Sequence, residues 1–264
     1  MPRLERTLPW HGRCSNGAAV HITRDDSASV ESYYRTVAPF YAAEMRGRDD
    51  LAEWRGLARR LASRRILDLG CGAGRVGRVL MEDDPLREVV GVDISRALLG
   101  DEDPPFAFVC ADMRSIPLDK EFDLIVAAND PFAHLLEDAD RATAIAEARR
   151  LLAHDGLLVI DGLYLPPQDE AAAEAPEGLV RERWLDDGTR VREVWRALGA
   201  HRYHTLYTYA RDGTTISEAS ASVRAWHSGE DALRACGARI AGALDEREFD
   251  PWGERLVAVV PGWT

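Results

Sequence analysis

Between Ser29 and about Arg60 the apolar residues return every three or four positions. Val30, Tyr33, Tyr34, Val37, Phe40 and Tyr41 fall on one helical face, and Leu51, Trp54, Leu57, Ala58 and Leu61 continue the spacing in a second helix. The residues before them mix turn formers with no period and predict a mobile tail. Beyond Arg60 short apolar runs alternate with helical segments. The runs ILDL, VVGVD, FAFVCAD, FDLIVAA and GLLVIDGL predict buried strands. Helices are expected from near Gly74, briefly after Ser95, and from about Asp138 to Leu152, with Gly156 as a left-handed cap before the next strand. Such alternation means a parallel sheet covered on both faces.

The pattern changes after residue 165. PPQDEAAAEAP reads as an acidic Pro/Ala-rich linker, and VREVWRAL, YHTLYTYA and TTISEASASVRAW then read as antiparallel strands with tight turns at Asp187-Gly188 and Asp212-Gly213. In YHTLYTYA the odd-numbered Tyr203, Tyr207 and Tyr209 share one face and His204 points to the other. Ser228-Gly229-Glu230-Asp231 resembles a capping box opening a short helix to Gly237, followed by strands near 239–249 and 255–260. Four segments result: a tail and helical cap over 1–60, an α/β core over 61–165, an antiparallel β insertion over 166–227, and the end of the core sheet over 228–264.

Composition narrows the partners. The 264 residues carry a formal charge of −12, and no Lys/Arg run of the kind that grips phosphate backbones is present, so nucleic acid is disfavoured and a small molecule favoured. No apolar run approaches the roughly 18–20 residues of a membrane helix. The N-terminus lacks a signal-peptide apolar segment, and a reducing cytoplasm is the expected setting. Cys14, Cys71, Cys110 and Cys236 lie far apart with no Cys-x-x-Cys pair, so no metal site is expected.

The chemistry gathers at ILDLGCGAGRVG, residues 66–77. Gly72 to Gly77 fits the dinucleotide fingerprint G-x-G-x-x-G, while Gly70-Cys71-Gly72-Ala73-Gly74 suits the methionine end of S-adenosylmethionine. Glycines let the backbone turn sharply and approach a ligand closely. Asp93, ending the second strand, would accept ribose hydroxyls in either system. Three other positions separate the readings. Asp68 suits an ammonium and sulfonium ligand and gains a pyrophosphate nothing. Asp112-Met113 ends the third strand, where a carboxylate can accept the adenine amine and an amide can meet a ring nitrogen. Asn129, in the fourth-strand end Asn129-Asp130-Pro131-Phe132, faces the place of a reactive methyl.

With these residues in view, the chain resembles the class I S-adenosylmethionine-dependent methyltransferases. The resemblance runs through ILDLGCGAGR, VVGVDIS, Ala-Asp-Met, FDLIVAAND and RRLLAHDGLLVID, over roughly residues 65–162 in family order and spacing. It implies a doubly wound, seven-stranded Rossmann-like sheet with an antiparallel edge, and S-adenosylmethionine as cofactor. It also implies Ile94 against the adenine ring. Tyr34-Arg35-Thr36-Val37-Ala38-Pro39-Phe40-Tyr41 is similar to the N-terminal cap of small-molecule members, with Arg35 and Ala42 where those members often carry acids; Tyr33, Tyr34 and Tyr41 are the candidates to close over the cofactor, or else the core face of this helix. The β insertion resembles an acceptor lid or dimerising element, so a homodimer is conceivable. His134, just past the fourth strand, is the candidate general base, its ordinary pKa being near working pH. Asn129-Asp130-Pro131-Phe132 echoes the (N/D)-P-P-(F/Y) signature of amino-methyltransferases, which places nitrogen acceptors slightly ahead of oxygen. Open alternatives are a nicotinamide-dependent oxidoreductase and a non-catalytic S-adenosylmethionine-binding protein.

Overall fold

The computed structural model describes residues 26–46, 48, 50–100, 103–227 and 255–261. In chain order it comprises α1 (Asp26–Met45), α2 (Leu51–Arg60), β1 (Arg65–Leu69), α3 (Arg75–Asp83), β2 (Glu88–Asp93), β3 (Ala107–Cys110), β4 (Phe122–Ala127), α4 (Asp138–Arg150) and β5 (Leu152–Leu163). These are followed by α5 (Pro167–Glu174), β6 (Leu179–Trp184), β7 (Arg190–Gly199), β8 (Arg202–Arg211), β9 (Thr214–Arg224) and β10 (Arg255–Pro261).

One sheet runs β10-β5-β4-β1-β2-β3, with β10 antiparallel to β5 and the other five strands parallel. Alternate side chains serve opposite faces. Leu67, Leu69, Ile125, Ala127, Leu158 and Ile160 meet Ala144, Ile145 and Ala148 of α4. Ile66, Leu124, Val126 and Val159 meet Trp54 and Leu57 of α2 and Val76, Val79 and Leu80 of α3. Helices therefore cover both faces, as the near-continuous apolar runs require. The strand order reverses between β1 and β4, and the crevice at such a switch point is where doubly wound sheets place ligands.

The second sheet is antiparallel, in the order β6-β7-β8-β9. Its inner face carries Val191, Tyr209 and Ala219 against Val37 of α1, and Phe40 stacks on Tyr209 with ring centroids 4.0 Å apart. Tyr203 and Tyr209 are buried, Tyr207 is half-buried, and His204 is exposed, the facing that period-two alternation predicts.

Several expectations need correction. The core sheet shows six strands among the described residues, while seven were expected. The strand expected near 239–249, the capping box at Ser228 and the helix to Gly237 lie outside the described residues, as does the tail before Asp26. Gly156 is not a left-handed cap: β5 already runs through it, and its φ is not positive. It is glycine because a Cβ there would lie 2.9 Å from the Phe122 carbonyl oxygen, at the register shift between β4 and β5. The expected linker holds α5, whose run of alanines and acids is a good helix former behind Pro167. The short helix after Ser95 is a single 3-10 turn, Arg96–Leu99. Strand β6 was not anticipated, because LVRERW exposes most of its length and shows no clean alternation.

Candidate active site

The chain leaves β1 through Gly70, Gly72 and Gly74, all in the left-handed region at φ 70°, 53° and 72°. A Cβ on Gly70 would lie 2.2 Å from Pro131 Cβ, so the loop packs directly on the segment after β4. Gly74 and Gly77 both face Phe106, where added Cβ atoms would come within 2.8 and 2.6 Å of its ring. The last glycine of the G-x-G-x-x-G pattern thus makes room for a core phenylalanine. Asp68 supports the loop from the other side. It is 1% exposed, and its Oδ2 accepts the Gly77 amide of α3 at 3.0 Å. A pyrophosphate needs the amides of that helix end and would meet a buried carboxylate instead. Burial pushes the Asp68 carboxyl up to about 7, against the lowering effects of the Gly77 amide and Arg75.

A cleft of about 820 Å³, measured to its open mouth, lies at the switch point. Its wall brings together nine sequence candidates: Tyr34, Tyr41, Gly70, Asp93, Ile94, Asp112, Met113, Asn129 and His134. Asp68, Gly72 and Gly74 are not on this wall; they stand behind it and shape the loop. Asp93 is 7% exposed and accepts the Gly72 amide on Oδ2 and the Ser95 amide on Oδ1, both at 2.8 Å. Burial raises its carboxyl to about 6 while these amides oppose the shift. Tyr41 lies over Gly72, its hydroxyl 3.1 Å from where a Cβ would stand.

A second, larger and more open cavity lies between α1, the ends of β4 and β5, and the inner face of the β6–β9 sheet. Tyr34, Tyr41, Asn129 and His134 line both cavities and form the partition between them. Asn129 and Asp130 have φ of 59° and 43°, a conformation that Asn and Asp tolerate best after glycine. The bend is held by Asp161, whose Oδ2 accepts the Asn129 amide at 3.0 Å and whose carbonyl accepts the Asp130 amide at 2.7 Å. Proline is fixed near φ −65°, so the backbone here cannot be that of the N-P-P-F signature the sequence echoes. His134 ends the 3-10 turn Pro131–His134, its Nε2 2.9 Å from the Tyr34 hydroxyl. Burial pushes the imidazole down to about 4 and the phenol well up, so a neutral ring and a neutral phenol share this bond.

This geometry has relatives. Residues 66–156 match the model of a methyltransferase domain family. Those residues are a methyltransferase domain. The segment is also similar to the demethylmenaquinone methyltransferase of Thermotoga maritima, 35% identical over 107 residues, 39% of this chain and 44% of that protein. The match thus spans less than half of that relative's length. Two solved structures share the fold across nearly the whole chain. The CcbJ methyltransferase of Streptomyces caelestis is 19% identical with a TM-score of 0.70, covering 91% of this chain and all of that one. The sugar N-methyltransferase KedS8 of a Streptoalloteichus species is 20% identical with a TM-score of 0.60, covering 96% and 100%.

Around the methyltransferase domain the structure adds residues that sequence reasoning missed. Arg114 lies on the cleft wall, paired with Asp112 and Asp140. Asp50, ahead of α2, is 2% exposed and takes a fork from Arg75 and the Trp54 indole N–H; these contacts outweigh burial and hold its carboxyl down to about 2. Arg48 bridges Asp50 and Asp161. In the second cavity Arg183 of β6 pairs with Glu44 of α1 and Glu193 of β7. Glu44 also accepts the Tyr209 hydroxyl at 2.7 Å and Glu193 the Trp195 indole at 3.1 Å. No periodicity signals such a network; only the folding of the insertion onto α1 assembles it.

Proposed function

We propose that the protein is an S-adenosylmethionine-dependent methyltransferase acting on a small molecule that bears an amine. The single observation that carries this reading is the partition of Tyr34, Tyr41, Asn129 and His134 between two cavities. One cavity suits the cofactor and the other an acceptor, and a methyl group can pass only where they meet.

The cleft fits the cofactor on its own chemistry. Asp93 stands where ribose hydroxyls would donate, Ile94 and Leu98 offer apolar surface for a base, and Asp112 and Met113 close the far end. Among the described residues no guanidinium hydrogen-bonds the buried Asp93 carboxylate on the cleft wall, an arrangement that favours a cationic guest. When bound, S-adenosylmethionine supplies an electrophilic methyl on a sulfonium. The chain's part is to hold that methyl and the nucleophile in line, and orientation of this kind can contribute about 7–11 kcal/mol.

The second cavity supports an amine over a hydroxyl. Its lining holds six carboxylates (Glu44, Asp50, Asp130, Asp161, Asp169, Glu193) against three guanidiniums (Arg48, Arg181, Arg183), an excess of negative charge that attracts a protonated amine. His134 is neutral across the physiological range, and a ring with its pKa near 4 is a weak base toward an ammonium. It is thus better suited to orientation than to proton abstraction. The sugar N-methyltransferase among the structural neighbours is consistent with this choice.

The test is incubation with S-adenosylmethionine and paired acceptors that differ only in carrying an amine or a hydroxyl, read by mass spectrometry. Methylated amine with little ether product supports the reading. A methylated hydroxyl alone refutes the amine preference, and cofactor binding with no product from a broad panel indicates a non-catalytic binding protein.

A further inference from the structure

Every guanidinium on the wall of the second cavity is paired with carboxylates of the same wall. Arg48 bridges Asp50 and Asp161, Arg181 meets Asp169 at 2.6 Å, and Arg183 lies between Glu44 and Glu193. The last group is the most enclosed. Nη1 of Arg183 donates to Glu193 Oε1 and Nη2 to Glu44 Oε2, so each end of the guanidinium meets a separate acid. The other carboxylate oxygens accept the Trp195 indole N–H and the Tyr209 hydroxyl, which hold both acids in place. The side chains of Glu44 and Glu193 are only 6% and 8% exposed. Two ionised carboxylates about one guanidinium leave a net negative charge in a buried wall.

Stability does not account for this group. Glu193 stands between Val191 and Trp195 on the inner face of β7, where alternation calls for a third apolar residue. Replacing a buried ion network by well-packed apolar side chains is often neutral or stabilising. The group also lies close to the point of transfer. Glu193 is the register partner of Tyr207, and the Tyr33 ring packs 6.1 Å from that of Tyr207 and 5.7 Å from that of His134. An acceptor whose amine reaches the partition therefore lays its remaining groups along these tyrosines towards the charged wall.

We propose that Glu44 and Glu193 determine acceptor specificity: by occupying both ends of Arg183 they restrict the cavity to amines that carry no carboxylate or phosphate. An anionic group there meets net negative charge and a guanidinium already committed, whereas a hydroxyl or a second ammonium meets carboxylate oxygens. The inference rests on the reading of this cavity as the site of an amine acceptor, and its test separates the two.

The experiment compares probes that differ in one anionic group, tyramine with tyrosine and glucosamine with glucosamine 6-phosphate. Each is incubated with S-adenosylmethionine and the wild type, Glu44→Gln, Glu193→Gln or the double variant, all first checked for a folded melting transition. Methylated product gives kcat/KM; where no probe turns over, calorimetric affinity for the protein saturated with S-adenosylhomocysteine replaces it. The wild type is expected to favour the anion-free member of a pair by about tenfold or more. Each single variant should lower that ratio a few-fold, and the double variant, which leaves Arg183 its full charge, about tenfold. The single variants carry the test if the double variant does not fold. A wild type that takes both members equally, or variants that change both members together and leave the ratio alone, overturn the inference while sparing the amine reading. Binding of neither member of either pair also overturns the inference. Methylation confined to hydroxyl analogues of the probes overturns the amine reading and the inference with it.

Discussion

Replacing Asp68 by Asn isolates the charge buried behind the glycine loop. The amide oxygen can still accept the Gly77 N–H, so the shape and the hydrogen bond persist while the ionisable group is lost. In the folded, ligand-free protein burial raises the carboxyl to about 7, against about 3.9 in the unfolded chain. A carboxyl raised on folding adds stability that is complete below the unfolded value and lost as pH climbs through the folded one. Relative to low pH, the stability lost is then about 1.5 kcal/mol at pH 5 and about 4 kcal/mol at pH 8. Asn carries no such dependence, so any constant cost or gain of the amide cancels on comparing the two pH values. Urea unfolding of both proteins at pH 5 and pH 8 should show the variant gaining about 2.5 kcal/mol on the wild type between them. A stability difference independent of pH would mean that Asp68 is not held as a buried acid, and the electrostatic account of the loop would fail.

Other consequences follow from the same geometry. Asp93→Ala removes the ribose acceptor and the anchor of the Gly72 and Ser95 amides; S-adenosylmethionine affinity by calorimetry should fall about tenfold or more, a charge-assisted bond being worth roughly 1.5–3 kcal/mol. Gly77→Ala places a Cβ 2.6 Å from Phe106 and should cost about 1–3 kcal/mol by denaturant unfolding; Phe106→Leu in the same chain should recover much of it, whereas a ligand-contact glycine would not be rescued. Asp130→Pro demands a φ near −65° where the chain needs 43°, and the melting temperature should fall by an amount matching about 3 kcal/mol or more. An unchanged melting temperature would show that the segment after β4 follows another path.

The sequence disclosed the core more fully than the surroundings of the site. ILDL, VVGVD and FDLIVAA are buried on both sides, and an apolar run of that length between helices has few other solutions. Asp93, Asp112 and Asn129 could be placed because each ends a strand at the switch edge, where topology alone converges them. Asp68 was harder, since strand position says that a side chain is buried and not which amide it meets. The Asp112–Arg114–Asp140 cluster and the Glu44–Arg183–Glu193 network were illegible, because they join elements distant in sequence. Gly156 and the 166–176 segment misled for a simpler reason. Glycine and proline mark departures from ordinary backbone, but close approach and a helix first turn use them as readily as caps and linkers do. The N-P-P-F echo was a likeness of letters that the left-handed path at Asn129 and Asp130 does not share.

The central claim is that the cleft holds S-adenosylmethionine and that the Gly72–Gly77 pattern holds no pyrophosphate. Parallel calorimetric titrations of the purified protein with S-adenosylmethionine, S-adenosylhomocysteine and NAD test it most directly. Saturable binding of the first two with none of NAD is the predicted result. Binding of NAD alone would contradict it.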